Sequence, residues 1–363
     1  MFKTRQNLLS VLRPLCILLR ITGFALFSQT TIKNDSKISY FTVFNCVTYI
    51  FHIVYIGYAV VNTATKFTSA PDTLRLVYAL VFLVNAFALI GTNIIWDKYK
   101  NDKFLQLLKQ FYNFDKKLQR NNIFLDYEKL RSRSAAVLII EATIYAYFNT
   151  DTAYQFWKMG IKPTTIFLDF IYYGGLHAMQ VTMTGKCFTL FAIIENIFDR
   201  LSFTMKTDEA SPDMVRNIRH LYHETYELVV QVNEVIAFQL VVPFCVTFIM
   251  VVFHIYYQIV DSSLQESVTV LVWLSTILLK IVVVIVQIHG ALTSADKIKC
   301  AAIKLALRKD RALRKEVNIL SLQLLHERIT ISGANFFSIN ISLIGDFFGK
   351  GIEYLLILYQ SYE

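Results

Sequence analysis

Seven stretches of this chain, at residues 38–61, 73–96, 134–152, 164–196, 228–260, 267–290 and 334–360, are apolar over the length of a bilayer crossing. A helix needs about 20 such residues to traverse a hydrocarbon core of roughly 30 Å. Barrel strands would instead alternate apolar and polar residues, and these runs do not. With 55% hydrophobic and only 17% charged residues, the chain is also too apolar for a soluble globular protein. The expected fold class is therefore all-α: a polytopic membrane protein with seven transmembrane helices. The fourth and fifth runs exceed one crossing, so their inner ends should continue as helix into the cytoplasm, flanking a short charged loop at 200–215.

Orientation follows from the basic residues. Of the 36 Lys and Arg, 29 fall in alternate connections: six before residue 38, ten in 97–133, four in 197–220 and nine in 291–333. The opposite connections hold only Lys66, Lys158 and Lys162, or four residues if Arg75 is counted. The positive-inside rule then places the N-terminus in the cytoplasm and, after seven crossings, the C-terminus outside. That is the reverse of G-protein-coupled receptors. Asp199-Arg200-Leu201 is not their Asp-Arg-Tyr motif, and no Asn-Pro pair stands in the seventh run.

Other classes are excluded by what the residues lack. The net charge of +9 sits between apolar runs, where it meets lipid headgroups, so no nucleic-acid partner is expected. Cys16, Cys46, Cys187, Cys245 and Cys300 all fall outside the expected external segments, leaving no disulfide framework. The stretch Leu8–Phe27, interrupted by Arg13, Pro14 and Arg20, lacks a signal-peptide pattern and reads as a helix on the inner membrane surface. His223-Glu224 lacks the second His of a zinc-protease helix, and His220 with His223 reads as a solvated helix face. No phosphate-binding glycine loop or nucleophile elbow is present, so the expectation is no enzyme, no metal and no cofactor. Asn34-Asp-Ser and Asn340-Ile-Ser match the glycosylation pattern but fall in a cytoplasmic and an intramembrane position.

Charges inside the spans are costly unless paired or wetted, which singles out Glu141, Asp169, Lys186, Glu234, Lys280, Asp346, Lys350 and Glu353. In the last span Asn335, Ser338, Ser342, Asp346, Lys350, Glu353, Ile357 and Gln360 recur every three or four residues and share one helical face. The opposite surface carries Phe336, Ile344, Phe348, Leu355 and Leu358. A polar stripe this long, with three charges, suits a water-lined path better than interhelical glue. Asp346, Lys350, Glu353, Ile357 and Gln360 are the expected pore and gate residues.

The chain's end also resembles the insect gustatory receptors, whose last span closes in Thr-Tyr, five hydrophobic residues and Gln-Phe. Here Glu353-Tyr354-Leu-Leu-Ile-Leu-Tyr359-Gln360-Ser361 keeps Tyr354, the hydrophobic five and Gln360, with Glu353 for Thr and Ser361 for Phe. Gly333-Ala-Asn-Phe336-Phe337-Ser-Ile-Asn340 is similar to the start of that helix. The resemblance implies a tetrameric, non-selective cation channel with the seventh helix around its axis, cytoplasmic helix ends as an intersubunit anchor, and Gln360 at the outer gate. It also implies a ligand pocket between helices opening outward. The outer halves of spans three to six offer Tyr145, Asp169, Tyr172, Tyr173, His177, His254, Tyr257 and Trp273 for it.

The expected organisation is a cytoplasmic segment 1–37, a six-helix region 38–290, a cytoplasmic anchor 291–333 and a pore helix with short tail 334–363. Within the anchor, Ala301, Ala302, Leu305, Leu307 and Leu313 space an otherwise basic stretch amphipathically, and Leu305 and Leu313 are expected to hold subunits together. The expected function is a gustatory receptor in the plasma membrane of a sensory dendrite, gated by a small tastant or pheromone. It would work as a homotetramer or a heterotetramer with related receptors. The related odorant-receptor branch is the first alternative, and a secondary transporter, disfavoured by the absence of an internal repeat, is the second. One experiment tests the orientation: an epitope after Glu363 should be stained on intact cells and an N-terminal epitope only after permeabilisation, whereas the reverse pattern removes the topology.

Overall fold

The computed structural model describes residues 7–21, 57, 97–158, 160–206, 210–260 and 268–360. The expected spans 38–61 and 73–96, apart from Gly57, and the tail position Ser361 lie outside the described residues. The described helices are α1 (Leu8–Ile21), α2 (Asp97–Arg120), α3 (Tyr127–Lys158), α4 (Pro163–Met205), α5 (Pro212–Val260), α6 (Val268–Ala306), α7 (Arg311–His326) and α8 (Ser342–Gln360). A two-stranded hairpin, β1 (Ser332–Gly333) and β2 (Phe337–Ser338), precedes α8.

Helices α4, α5 and α6 have 43, 49 and 39 residues. At 1.5 Å per residue they run about 65, 74 and 58 Å, roughly twice the hydrocarbon thickness. Long apolar segments in 180–205, 212–256 and 274–306 give these three helices the length and composition to cross a membrane. The continuation expected of the fourth and fifth runs is present, and α6 continues as well. The connection between α4 and α5 is shorter than the expected 200–215 loop, because helix persists to Met205 and resumes at Pro212. Pro163 starts α4, where its missing N–H costs no hydrogen bond. Asp310 caps α7, accepting from the amides of Ala312 (2.8 Å) and Leu313 (3.2 Å).

The main core lies at the end of the bundle that carries the basic connections, built from α1, α2, α7 and the adjoining halves of α4, α5 and α6. Phe111, Phe191, Phe198 and Tyr222 are its largest fully buried side chains. The expectation of α1 as a helix on the membrane surface is corrected here. Its apolar face, Leu8, Leu12, Leu15 and Leu19, is at most 1% exposed and packs within this core. Polar groups close the core's edges. The Tyr127 hydroxyl donates to Asp115 at 2.6 Å; burial pushes both groups' pKa up, while the hydrogen bonds from Tyr127 and Gln119 pull Asp115 back. Arg216 on α5 donates to Glu316 on α7 at 2.8 Å, and that hydrogen bond holds the carboxyl below its usual range. The Tyr222 hydroxyl donates to the Glu327 carbonyl at 3.0 Å.

The expected seventh span, 334–360, is helical only from Ser342. Residues 332–338 form the hairpin, with Ala334 (φ 46°) and Asn335 (φ 65°) in the left-handed turn. The hairpin is fixed on α5: the Ser332 amide donates to Asn233 Oδ1 at 3.2 Å, and Phe337 packs on Phe244. Gly333 is required there, since a Cβ would lie 2.8 Å from Val241 Cγ2. Asn335 and Ser338 therefore leave the helical stripe, and Asn340 caps α8 by accepting from the Ser342 amide at 2.9 Å.

Leu305 and Leu313 are also corrected. They are 3% and 2% exposed, inside the subunit's own core, whereas Ile303, Leu307, Leu322 and Leu325 are exposed. Leu305→Asp should bury an unpaired carboxylate and lower yield and unfolding temperature, and Leu305→Ala should cost about 2–5 kcal/mol. Leu307→Asp should leave the unfolding temperature of the isolated subunit unchanged, which thermal unfolding in detergent checks.

Candidate functional site

Buried polar side chains converge where α3, α4 and α6 meet. Glu141 on α3 and Lys280 on α6 are 9% and 6% exposed and lie within each other's electrostatic reach without a direct salt bridge. An ion in such surroundings persists only with a partner, because desolvation of each charge costs several kcal/mol. Thr184 on α4 is buried in the same region, its hydroxyl donating to the Gln180 carbonyl at 3.1 Å. One turn along α3, Tyr145 stacks on His177 of α4 with ring centroids 4.2 Å apart and planes 18° from parallel. Its hydroxyl donates to Gln180 Oε1 at 2.7 Å.

Three atoms of this region, Glu141 Oε2, Asn149 Oδ1 and His177 Nδ1, are buried without a hydrogen-bond partner among the described residues. Buried polar groups are ordinarily satisfied. An arrangement that stacks an aromatic pair beside three open polar atoms can engage a small ligand with both a ring and hydrogen-bonding groups.

Of the expected pocket residues, Tyr145 and His177 are brought together. Asp169 and His254 are buried, at 7% and 6% exposure, on α4 and α5. The side chains of Tyr172, Tyr173, Tyr257 and Trp273 lie outside the described residues. Sequence reasoning marked Glu141 and Lys280 as costly charges but did not join them to the aromatic pair, and it missed Gln180, Thr184 and Asn149. Their signal was a polar residue within an apolar run, which names the residue but not the helix it faces.

A second polar junction ties the same three helices nearer the basic end. Arg133 on α3 donates to Gln287 Oε1 on α6 at 3.0 Å and pairs with Glu195 of α4 at 3.4 Å. Gln287 Nε2 donates to Glu195 Oε2 at 2.7 Å. Two cavities of about 330 and 360 Å³ also lie at that end, one between α2 and α5 and one between α6 and the hairpin. Neither is lined by the polar cluster.

Helix α8 is attached differently: none of its residues is buried. It leans on α5 through Phe347 and Tyr354, both edge-on to Phe248 with centroids 5.1 and 5.9 Å away, and Gly351 fits beneath Phe248 and Val252. Tyr354, which with Gln360 makes the motif read from the sequence, touches Phe248 and remains about half exposed. Asp346, Lys350, Glu353, Ile357 and Gln360 are all exposed on a flank turned away from α5. Lys350 Nζ pairs with Glu353 Oε2 at 2.6 Å.

Residues 12–362 match the family model described as 7tm Chemosensory receptor. The chain is 22% identical to a protein named putative gustatory receptor 28b of Drosophila melanogaster, over 99% of this chain and 87% of that protein. Its fold matches the olfactory receptor OR5 of Machilis hrabei, with a TM-score of 0.58 at 12% identity. The match to OR5 in complex with eugenol has a TM-score of 0.68 at 13% identity. Each match spans 96% of this chain and 97% of OR5.

The charge pair makes its own prediction. Lys280→Met should strand Glu141 and destabilise the protein by about 3–5 kcal/mol, read as lost surface expression and a lower unfolding temperature. Adding Glu141→Gln should recover most of that loss; failure of the double variant to recover would remove the pairing.

Proposed function

The chain belongs to the 7tm chemosensory receptor family, a family of receptors and not of enzymes, and on that premise we propose that it is a gustatory-type receptor. It acts as a ligand-gated cation channel of the sensory-neuron plasma membrane, with seven spans, an inside N-terminus and an outside C-terminus. The observation that carries this reading is α8: a 19-residue, largely apolar helix with no buried residue and a charged stripe on a flank that the other described residues leave open. A lone membrane helix exposing three charges to lipid is too costly, so the stripe faces water in an assembly. In a fourfold arrangement Asp346, Lys350, Glu353, Ile357 and Gln360 line the path, with Gln360 at the outer mouth.

Assembly uses two surfaces. One is the uncovered flank of α8. The other is the apolar patch of Ile303 and Leu307 at the end of α6 with Leu322 and Leu325 on α7, which replaces Leu305 and Leu313 as the anchor between subunits. Partners are three further subunits, copies of this chain or related receptors, together with the lipid bilayer.

The ligand site is the Tyr145–His177 cluster with Glu141, Gln180 and Asn149 around it, and Asp169, Tyr172, Tyr173, His254, Tyr257 and Trp273 are its further candidates from the sequence. OR5 binds eugenol, a small aromatic molecule, and the stacked pair here supports a ligand of comparable size. Tyr354, five apolar residues and Gln360, with the likeness to putative gustatory receptor 28b, favour the gustatory over the odorant branch.

Expression alone in a null cell, with currents recorded against sugars, bitter compounds and cuticular hydrocarbons, tests the activity. Single cysteines at 346, 350, 353, 357 and 360 should react with a water-soluble thiol reagent and change the evoked current. Cysteines at Leu355 and Leu358, half-buried beside α5, should stay silent. Uniform labelling around α8 would place the conduction path elsewhere.

A further inference from the structure

The three charges of α8 are not equivalent. Lys350 and Glu353 form a salt bridge of 2.6 Å within one subunit, both side chains more than half exposed. Asp346 lies on the same flank and is exposed, with no ion pair among the described residues. Nothing lies within 4 Å of a Cβ built at Gly345 or Gly349, so the turn around Asp346 has open space on both sides.

We propose that Asp346, and not Glu353, selects cations over anions along α8, an inference that rests on α8 lining the path of a fourfold channel. The net charge of the stripe is −1 per subunit, and the pairing decides where it resides. Two opposite charges 2.6 Å apart act on an ion farther away as a short dipole. Four and seven residues of helix separate Lys350 and Glu353 from Asp346, about 6 and 10 Å of rise. Screening with a Debye length of ~10 Å at 0.1 M salt weakens the dipole of the pair further, so the paired ring cancels only part of the field of the Asp346 ring. Fourfold symmetry sets four Asp346 carboxylates around the axis, and rings of carboxylates favour cations. By the proposed orientation this ring stands at the cytoplasmic end of the pore helix, so the preference is set on the inner side of the gate formed by Ile357 and Gln360.

The test is the sodium-to-chloride permeability ratio, read from the reversal potential on diluting bath NaCl during a ligand-evoked current. Asp346→Asn should lower the ratio several-fold. The double variant Lys350→Gln/Glu353→Gln, which removes the pair without changing net charge, should leave it as it was. Glu353→Gln alone should lower it by baring Lys350, and adding Lys350→Gln should restore it. Should Asp346→Asn fail to reach the surface, Asp346→Cys modified with a negatively charged thiol reagent should raise the ratio above its unmodified value. An unchanged ratio in Asp346→Asn, no rise on modifying Asp346→Cys, or a fall in the double variant as large as that of Asp346→Asn, overturns the assignment. Ile357→Cys separates this from failure of the channel reading: block by an external thiol reagent keeps α8 in the path, and evoked current without block removes it.

Discussion

A hydrocarbon core offers no partner to a peptide group or a charge, and what can be built inside it follows from that lack. Backbone groups are satisfied within helices, which is why the described part of this chain is helical apart from one hairpin outside the long apolar segments. Side chains are satisfied between helices. Glu141 on α3 and Lys280 on α6 are buried within each other's electrostatic reach, an arrangement that requires α3 and α6 to turn those positions toward one another beside α4. Arg133, Glu195 and Gln287 repeat the requirement lower down, eight residues along α3 and seven along α6. Two polar contacts about 10–12 Å apart along the axes fix rotation as well as separation. Apolar side chains alone, equally content against lipid, would leave that rotation loose.

The placement of the main cluster has the same origin. Apolar burial drives packing where the alternative is water, at roughly 25 cal/mol per Å², and this drive disappears where the alternative is lipid. Accordingly, the main cluster, with Phe111, Phe191, Phe198 and Tyr222, occupies the end rich in basic residues. Among the described residues Leu138, Tyr145, Phe148 and Val181 form a separate cluster beside the polar atoms of Asn149 and His177.

The fold was legible where length and composition suffice. Runs of apolar residues located α3, α4, α5 and α6, and excess length announced the extensions of α4 and α5. Ambiguity began where one pattern fits two solvents. Leu8, Leu12, Leu15 and Leu19 make a stripe that suits a membrane surface or a protein core equally, and only the presence of α2, α3 and α4 beside it decides. Leu305 and Leu313 posed the same ambiguity between a neighbouring subunit and their own. At 334–341 local sterics overrode periodicity: Gly333 under Val241 and the left-handed Ala334 and Asn335 stop a helix that the polar spacing alone would have continued. In the site, Tyr145 and His177 were visible as aromatic residues in an outer half-span. Gln180 and Asn149 were not, because their roles depend on how α3 and α4 are turned toward each other.

The attachment of α8 shows how a subunit holds a helix firmly at one end and lightly along its length. At its base the Ser332 amide bonds to Asn233, Gly333 lies against Val241, and Asn340 caps the first turn, so the starting point is fixed to α5. Above it the seam consists of Phe347 and Tyr354 around Phe248, edge-on aromatic contacts worth about 0.5–1.5 kcal/mol each beyond their burial. The charged pair of α8, Lys350 with Glu353, lies within the helix itself and not across this seam. Aromatic contacts tolerate sliding and tilting over several tenths of an ångström where a buried ion pair does not, since their energy varies gently with geometry while a charge pulled from its partner is stranded. For a helix proposed to gate, the distribution is apt. In the proposed channel a shift of α5 would reach α8 at the fixed base, while the aromatic seam would let the shaft respond without stranding a charge.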